Sequence, residues 1–86
     1  MDKKKKIVVR ERKTWETEEL NYLKSLGDNI IRIKKEKKLT SKHIYDTLEI
    51  DKSNYRRIES GKTNVSLLLL RRISKVLNVS LEELIK

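Results

Sequence analysis

Apolar residues recur every three or four positions along this chain, in short runs separated by polar breaks. Leu23, Leu26, Ile30 and Ile33 form the first stripe, the spacing of an amphipathic helix. The pattern starts between residues 17 and 25 and ends near Lys38. Gly27 falls inside it, so one long rod and two pieces broken at the glycine are both open readings. Thr40 is a good N-cap for a second, short helix with Ile44 and Leu48 on one face. Asp51 is expected to cap a third, whose apolar members are Tyr55 and Ile58, and Gly61 stands where a helix stops on a left-handed residue. Ser66 caps a fourth, with Leu67, Leu70, Ile73 and Leu77 facing inward. The fifth opens on a capping box, Ser80 with Glu83, flanked by Val79 and Leu84 at the positions of a hydrophobic staple. Proline is absent, and apart from residues 7–9 no alternating β-branched segment occurs, so the expected class is all-α.

The second and third helices bear on function. Only Glu49 and Ile50 separate Leu48 from Asp51, which forces the two short helices to cross steeply as a helix-turn-helix. With Tyr55 as zero and about 100° per residue, Ile58 falls near 300°, and the face opposite the buried one lies near 150°. Ser53, Arg56, Arg57 and Ser60 cluster there, with Lys52 and Asn54 flanking the N-terminal end. These side chains carry the donors and acceptors that base edges and phosphates accept.

Composition narrows the class. Eighty-six residues make one small domain at most. Cysteine is absent and histidine occurs once, so there is no disulfide framework, and no metal site is expected; His43 reads as a surface residue. No nucleophile has a plausible base, so neither an enzyme nor a cofactor is expected. The longest apolar run, residues 67–70, is far too short for a membrane span, and the basic N-terminal stretch lacks the apolar core of a signal peptide. The expected location is cytoplasmic, at the nucleoid. Charge placement adds more: the net charge is +9, with +5 on residues 1–13, −3 on 14–31, +8 on 32–75 and −1 on 76–86. An excess gathered in a tail and a central block suits a polyanion, with nucleic acid the obvious candidate; a solvated lysine surface is the alternative.

The strings LGDNIIRIKKEKKLT, IYDTLEIDKSNYRRIESGKTNVS and LLRRISKVLNVSLEEL carry a resemblance. Together they run without a gap through residues 26–84 and resemble the lambda-repressor type of helix-turn-helix family (Cro and repressor, or xenobiotic-response-element). The resemblance implies a five-helix DNA-binding domain, here residues 26–86; the charge pattern sets off a basic flexible arm at 1–13 and a helical extension at 14–25 before it. It implies base reading in the major groove by Lys52, Ser53, Asn54, Arg56 and Arg57. It places backbone contacts at Ser41, Lys62 and Asn64, in keeping with the anion affinity of helix N-termini and short cationic loops, and with the neighbouring Lys34, Lys42 and Thr63 these make the expected phosphate-binding set. Lys34 also matches a basic residue that commonly pairs with the counterpart of Glu59. The chain departs from the family at Ser41 (usually Gln), Tyr45 (usually small), Glu49 (usually Gly), Val65 (often Pro) and Ser74 (often Ala). Tyr45 must lie sideways across the helix crossing or open it, and a left-handed Glu49 costs about 1 kcal/mol relative to Gly.

Leu68 and Leu69 lie off the inward stripe of helix four, and with Val76 and Ile85 they make a candidate dimer interface. One recognition helix reads few base pairs, and repressors of this class dimerise on pseudo-palindromes with half-sites about 34–36 Å apart. The alternative is that these leucines pack beneath the N-terminal segment, where Trp15, Leu20, Tyr22 and Leu23 need partners. Residues 1–13 admit three readings: a cationic arm on DNA, a strand pairing with its mate through residues 7–9, or disorder. The expected function is a sequence-specific, homodimeric transcriptional repressor of bacterial, phage or plasmid origin, acting on a pseudo-palindromic operator in double-stranded DNA. The rival is an antitoxin or other protein-interaction module that holds a toxin or another protein through residues 1–25 and uses the helix-turn-helix for autoregulation.

Overall fold

A computed structural model describes residues 2–86, with side chains from residue 16 onward. Five helices follow in order: α1 (Asp2–Glu36), α2 (Ser41–Leu48), α3 (Lys52–Glu59), α4 (Leu67–Leu77) and α5 (Leu81–Ile85). Among the described residues no strand occurs, and the all-α, five-helix architecture is the expected one. α1 runs through Gly27 unbroken, so the stripe belongs to one rod and residues 14–25 are part of it. The side chains of the basic arm, residues 1–13, and of Trp15 lie outside the described residues.

Local signals account for most helix ends. Thr40 Oγ1, Ser66 Oγ and Ser80 Oγ each accept a backbone N–H three residues on, at 3.1 Å in every case. Each satisfies one of the donors a helix N-terminus leaves open. Asp51 corrects the expectation: it holds the N-cap position of α3 in extended backbone, but its side chain makes no capping hydrogen bond. Its exposed carboxylate acts on the positive end of the helix through its charge alone. The C-terminal ends of α1 to α4 use left-handed residues: Lys38, Glu49 and Asn78 at φ 56–58°, and Gly61 at φ 72°. In each the N–H groups of that residue and the next turn back to carbonyls of the last turn, as in Gly61 to Ile58 at 3.1 Å and Lys62 to Arg57 at 2.9 Å. Gly61 marks itself by residue type, because glycine takes that φ without steric cost, and Glu49 only through the family's usual glycine; Lys38 and Asn78 were not expected.

Leu26, Ile30 and Ile33 of α1 meet Ile44, Leu48, Tyr55, Ile58, Val65, Ile73, Leu77 and Leu84 in one buried core. α1 packs chiefly on α3 and α5, and α2 on α4. Asn29 Nδ2 donates to the Leu84 carbonyl at 2.9 Å, tying the C-terminal helix to α1. Leu67 departs from expectation. It is 68% exposed rather than inward, because the core is covered by the later turns of α4, at Ile73, Ser74 and Leu77, and the first turn projects past its edge. Leu20, Tyr22 and Leu68 are exposed too, so among the described residues Leu68 is not covered by Leu20 or Tyr22.

Candidate nucleic-acid interface

The sequence of α3 divides it sharply. Tyr55 and Ile58 are buried, while Lys52, Ser53, Asn54, Arg56 and Arg57 are all exposed. The eight-residue helix therefore presents its five expected base-reading side chains to solvent together. Among the described residues none of Lys52, Arg56 and Arg57 is held in an ion pair, so their charge is free for an external anion. The one acid on the helix, Glu59, faces the other way.

Glu59 sits in a polar cluster joining three helices. Lys34 Nζ of α1 lies 2.9 Å from Glu59 Oε2 and 2.8 Å from Ser41 Oγ at the start of α2. The Lys34 and Glu59 side chains are only 14% and 16% exposed. The Tyr55 hydroxyl donates to the same Glu59 oxygen. Burial pushes the Tyr55 phenol far above its ordinary value; the bond to Glu59 and the carboxylate's charge push the same way, and Ser41 opposes them. The phenol is thus a neutral donor to a charged acceptor, a strong kind of hydrogen bond. Of the expected phosphate set, Lys34 and Ser41 are bonded to partners within the protein, with Ser41 half-exposed at the start of α2. The Lys34–Glu59 pairing is present as the resemblance implied.

The other expected phosphate ligands differ in exposure. Lys42, Lys62 and Asn64 are exposed and Thr63 is half-buried. Lys42 Nζ bonds Asp46 Oδ2 at 2.7 Å, one turn along α2, and that bond and charge raise its pKa. Exposed pairs of this kind are weak, and the cation can be redirected to a phosphate. The loop carrying Lys62 and Asn64 is anchored by Gly61, where an added Cβ would fall 2.7 Å from Lys24 Cα. Tyr45 is half-buried, with its ring centroid 6.0 Å from that of Tyr55 at a tilt of 49°, so it lies across the crossing as an aromatic contact.

The proposed dimer residues are less uniform. Leu68 and Ile85 are exposed, whereas Leu69 and Val76 are partly buried against the core. The hydroxyl of Tyr55 escaped the sequence reading, since periodicity registers only the ring's apolar character. Among the described residues no group of three or more His, Cys, Asp or Glu is placed to hold a metal, and no helix is long and apolar enough to cross a membrane.

Comparison with known proteins agrees with this arrangement. A helix-turn-helix family model matches residues 30–84, from the second half of α1 into α5. Control protein C.MunI of Mycoplasma sp is 37% identical over 59 residues, which cover 67% of this chain and 80% of that protein. No solved structure matches. With the motif formed by α2 and α3 and its cationic face outward, the chain belongs to the Cro/C1-type helix-turn-helix family and is a DNA-binding transcriptional regulator.

Proposed function

We propose that two copies of this chain bind a pseudo-palindromic operator in double-stranded DNA and repress transcription by occupying it. Each copy lays α3 in the major groove, where Lys52, Ser53, Asn54, Arg56 and Arg57 meet base edges. Lys42 at the start of α2, with Lys62, Thr63 and Asn64 after α3, grips the flanking phosphates. One observation carries this reading: all five side chains of the reading set are exposed on α3 while Tyr55 and Ile58 anchor its other side. The similarity to a protein named as a control protein supports a regulatory role.

The test is selection of duplexes from a random pool, followed by genomic footprinting. The expected result is an inverted repeat whose halves lie about 34–36 Å apart, footprinted over a promoter whose transcript rises when the protein is removed. A pool that yields no consensus would overturn the reading. A single unrepeated half-site would overturn the dimer, and a transcript that falls on removal would overturn repression.

A further inference from the structure

The chain contains two glycines, and both lie where α1 meets the end of α3. A Cβ on Gly27 would fall 2.1 Å from the Glu59 carbonyl oxygen, and one on Gly61 would fall 2.7 Å from Lys24 Cα. The last turn of α3 is therefore seated backbone to backbone on α1, with no side chain between them. The seat fixes how deep the end of α3 sits, and the roll of the helix about its own axis is set by the contacts along its length. Ile58 and the Tyr55 ring, both buried, anchor the helix on that side, but hydrophobic attraction is itself non-directional and leaves the fine setting of the roll to directional contacts. Hydrogen bonds are directional, and the polar cluster supplies them: Tyr55 and Glu59 lie one turn apart on α3, Lys34 comes from α1 and Ser41 from α2.

We propose that Tyr55, through its hydroxyl, is a positioning residue for base reading: with α3 seated at Gly27, the bracket of Tyr55, Glu59, Lys34 and Ser41 sets the roll of the helix and so which base edges Arg56 and Arg57 reach. This rests on the groove reading proposed above. The geometry makes small rolls matter. Side-chain tips lie about 5–6 Å or more from a helix axis, so a roll of about 20° moves them by about 2 Å. Hydrogen-bond distances span only about 0.5 Å. Ser41 belongs to this bracket, which gives the departure from the family's usual residue a consequence: a side chain that would otherwise hold DNA from outside holds the reading helix from inside.

Full-length Tyr55→Phe tests it, since Phe keeps the ring against Tyr45 and removes the hydroxyl alone. Duplexes selected from a random pool by the unaltered protein and by the variant are compared, alongside thermal unfolding and affinity for an unrelated duplex. The variant is expected to fold and to bind the unrelated duplex as before. At the base pairs whose preference is lost in Arg56→Ala or Arg57→Ala, its discrimination falls about tenfold, within what one bidentate contact supplies, or its consensus changes. A lower unfolding temperature with consensus and discrimination unchanged would leave Tyr55 a purely structural role and overturn the inference. If Tyr55→Phe does not fold, Ser41→Ala, which leaves the Lys34–Glu59 pair in place, is read the same way, with a few-fold loss expected and unchanged discrimination again overturning it. Discrimination lost in Arg57→Ala but intact in Tyr55→Phe defeats this inference alone, whereas no loss in Arg57→Ala defeats the groove reading itself.

Discussion

At Glu49 the backbone takes φ 58° and ψ 43°, a conformation costing a residue with a Cβ about 1 kcal/mol relative to glycine. The side chain is exposed, and among the described residues no side-chain hydrogen bond or ion pair offsets the cost. Glu49→Gly is therefore expected to raise unfolding stability by up to about 1 kcal/mol, reduced by the greater freedom of glycine in the unfolded chain. Urea unfolding checks this; a loss of stability would show that the Glu49 side chain holds the turn. Tyr55 makes a prediction about pH. Its phenol is raised in the folded chain above its ordinary value near 10, so folding favours the protonated form. That contribution is fully present below about pH 10 and is lost as pH rises above it toward the folded value. In the folded protein a difference absorbance titration against Tyr55→Phe should show no phenol ionising near pH 10. The advantage of the unaltered protein over that variant in urea should shrink only at higher pH, and a phenol titrating at its ordinary value would contradict the buried geometry. Neither feature was fully legible in the sequence. Glu49 stood out only against the family's usual glycine, and the Tyr55 hydroxyl was hidden inside an apolar period.

At the scale of elements, the sequence was readable where the signal is local and ambiguous where it depends on a neighbour. Thr40, Ser66 and Ser80 cap as expected because a cap needs only its own next turn. Gly27 could not be resolved along the chain, since what requires it is the Glu59 carbonyl, thirty-two residues away in sequence. Leu67 kept the inward spacing but lost its partners at the edge of the core. The faces of α3 were legible because a 3.6-residue period assigns both sides of a helix at once. That division gives an element-level prediction contrasting the helix with the loop that follows it. Arg57→Ala should cost about 1–3 kcal/mol on the selected operator and relax preference at one base pair. Lys62→Ala should weaken all duplexes alike and lower the salt slope by about 1. Titrations of matched and mismatched duplexes over a range of salt separate the two. If Lys62→Ala changed base preference, the loop would be reading sequence rather than gripping phosphate.

In the proposed dimer, the arrangement of the whole molecule decides how two reading helices are brought to one site. α1 is occupied by α3 and α5, and the later turns of α4 close the core, which leaves the first turn of α4 as an uncovered apolar corner with Leu67 and Leu68 about two-thirds exposed. Burying a leucine side chain fully is worth about 1.5–3 kcal/mol, so a symmetric contact that covers Leu68 on both copies gains on each side. Because Leu69 already packs on the core, changing it would weaken the fold as well as the contact. Leu68→Glu alone is the cleaner probe: it places a carboxylate opposite its own counterpart across a two-fold axis while leaving the core intact. Sedimentation should then show monomers at concentrations where the unaltered protein is dimeric, with an unchanged unfolding midpoint for the isolated chain. Binding to a full inverted repeat should fall toward the affinity of one half-site, while affinity for a single half-site stays as it was, since α3 is untouched. A dimer that survives Leu68→Glu would move the contact to the other exposed member of the expected set, Ile85 on α5, and the spacing between the two reading helices would have to be rebuilt around that axis.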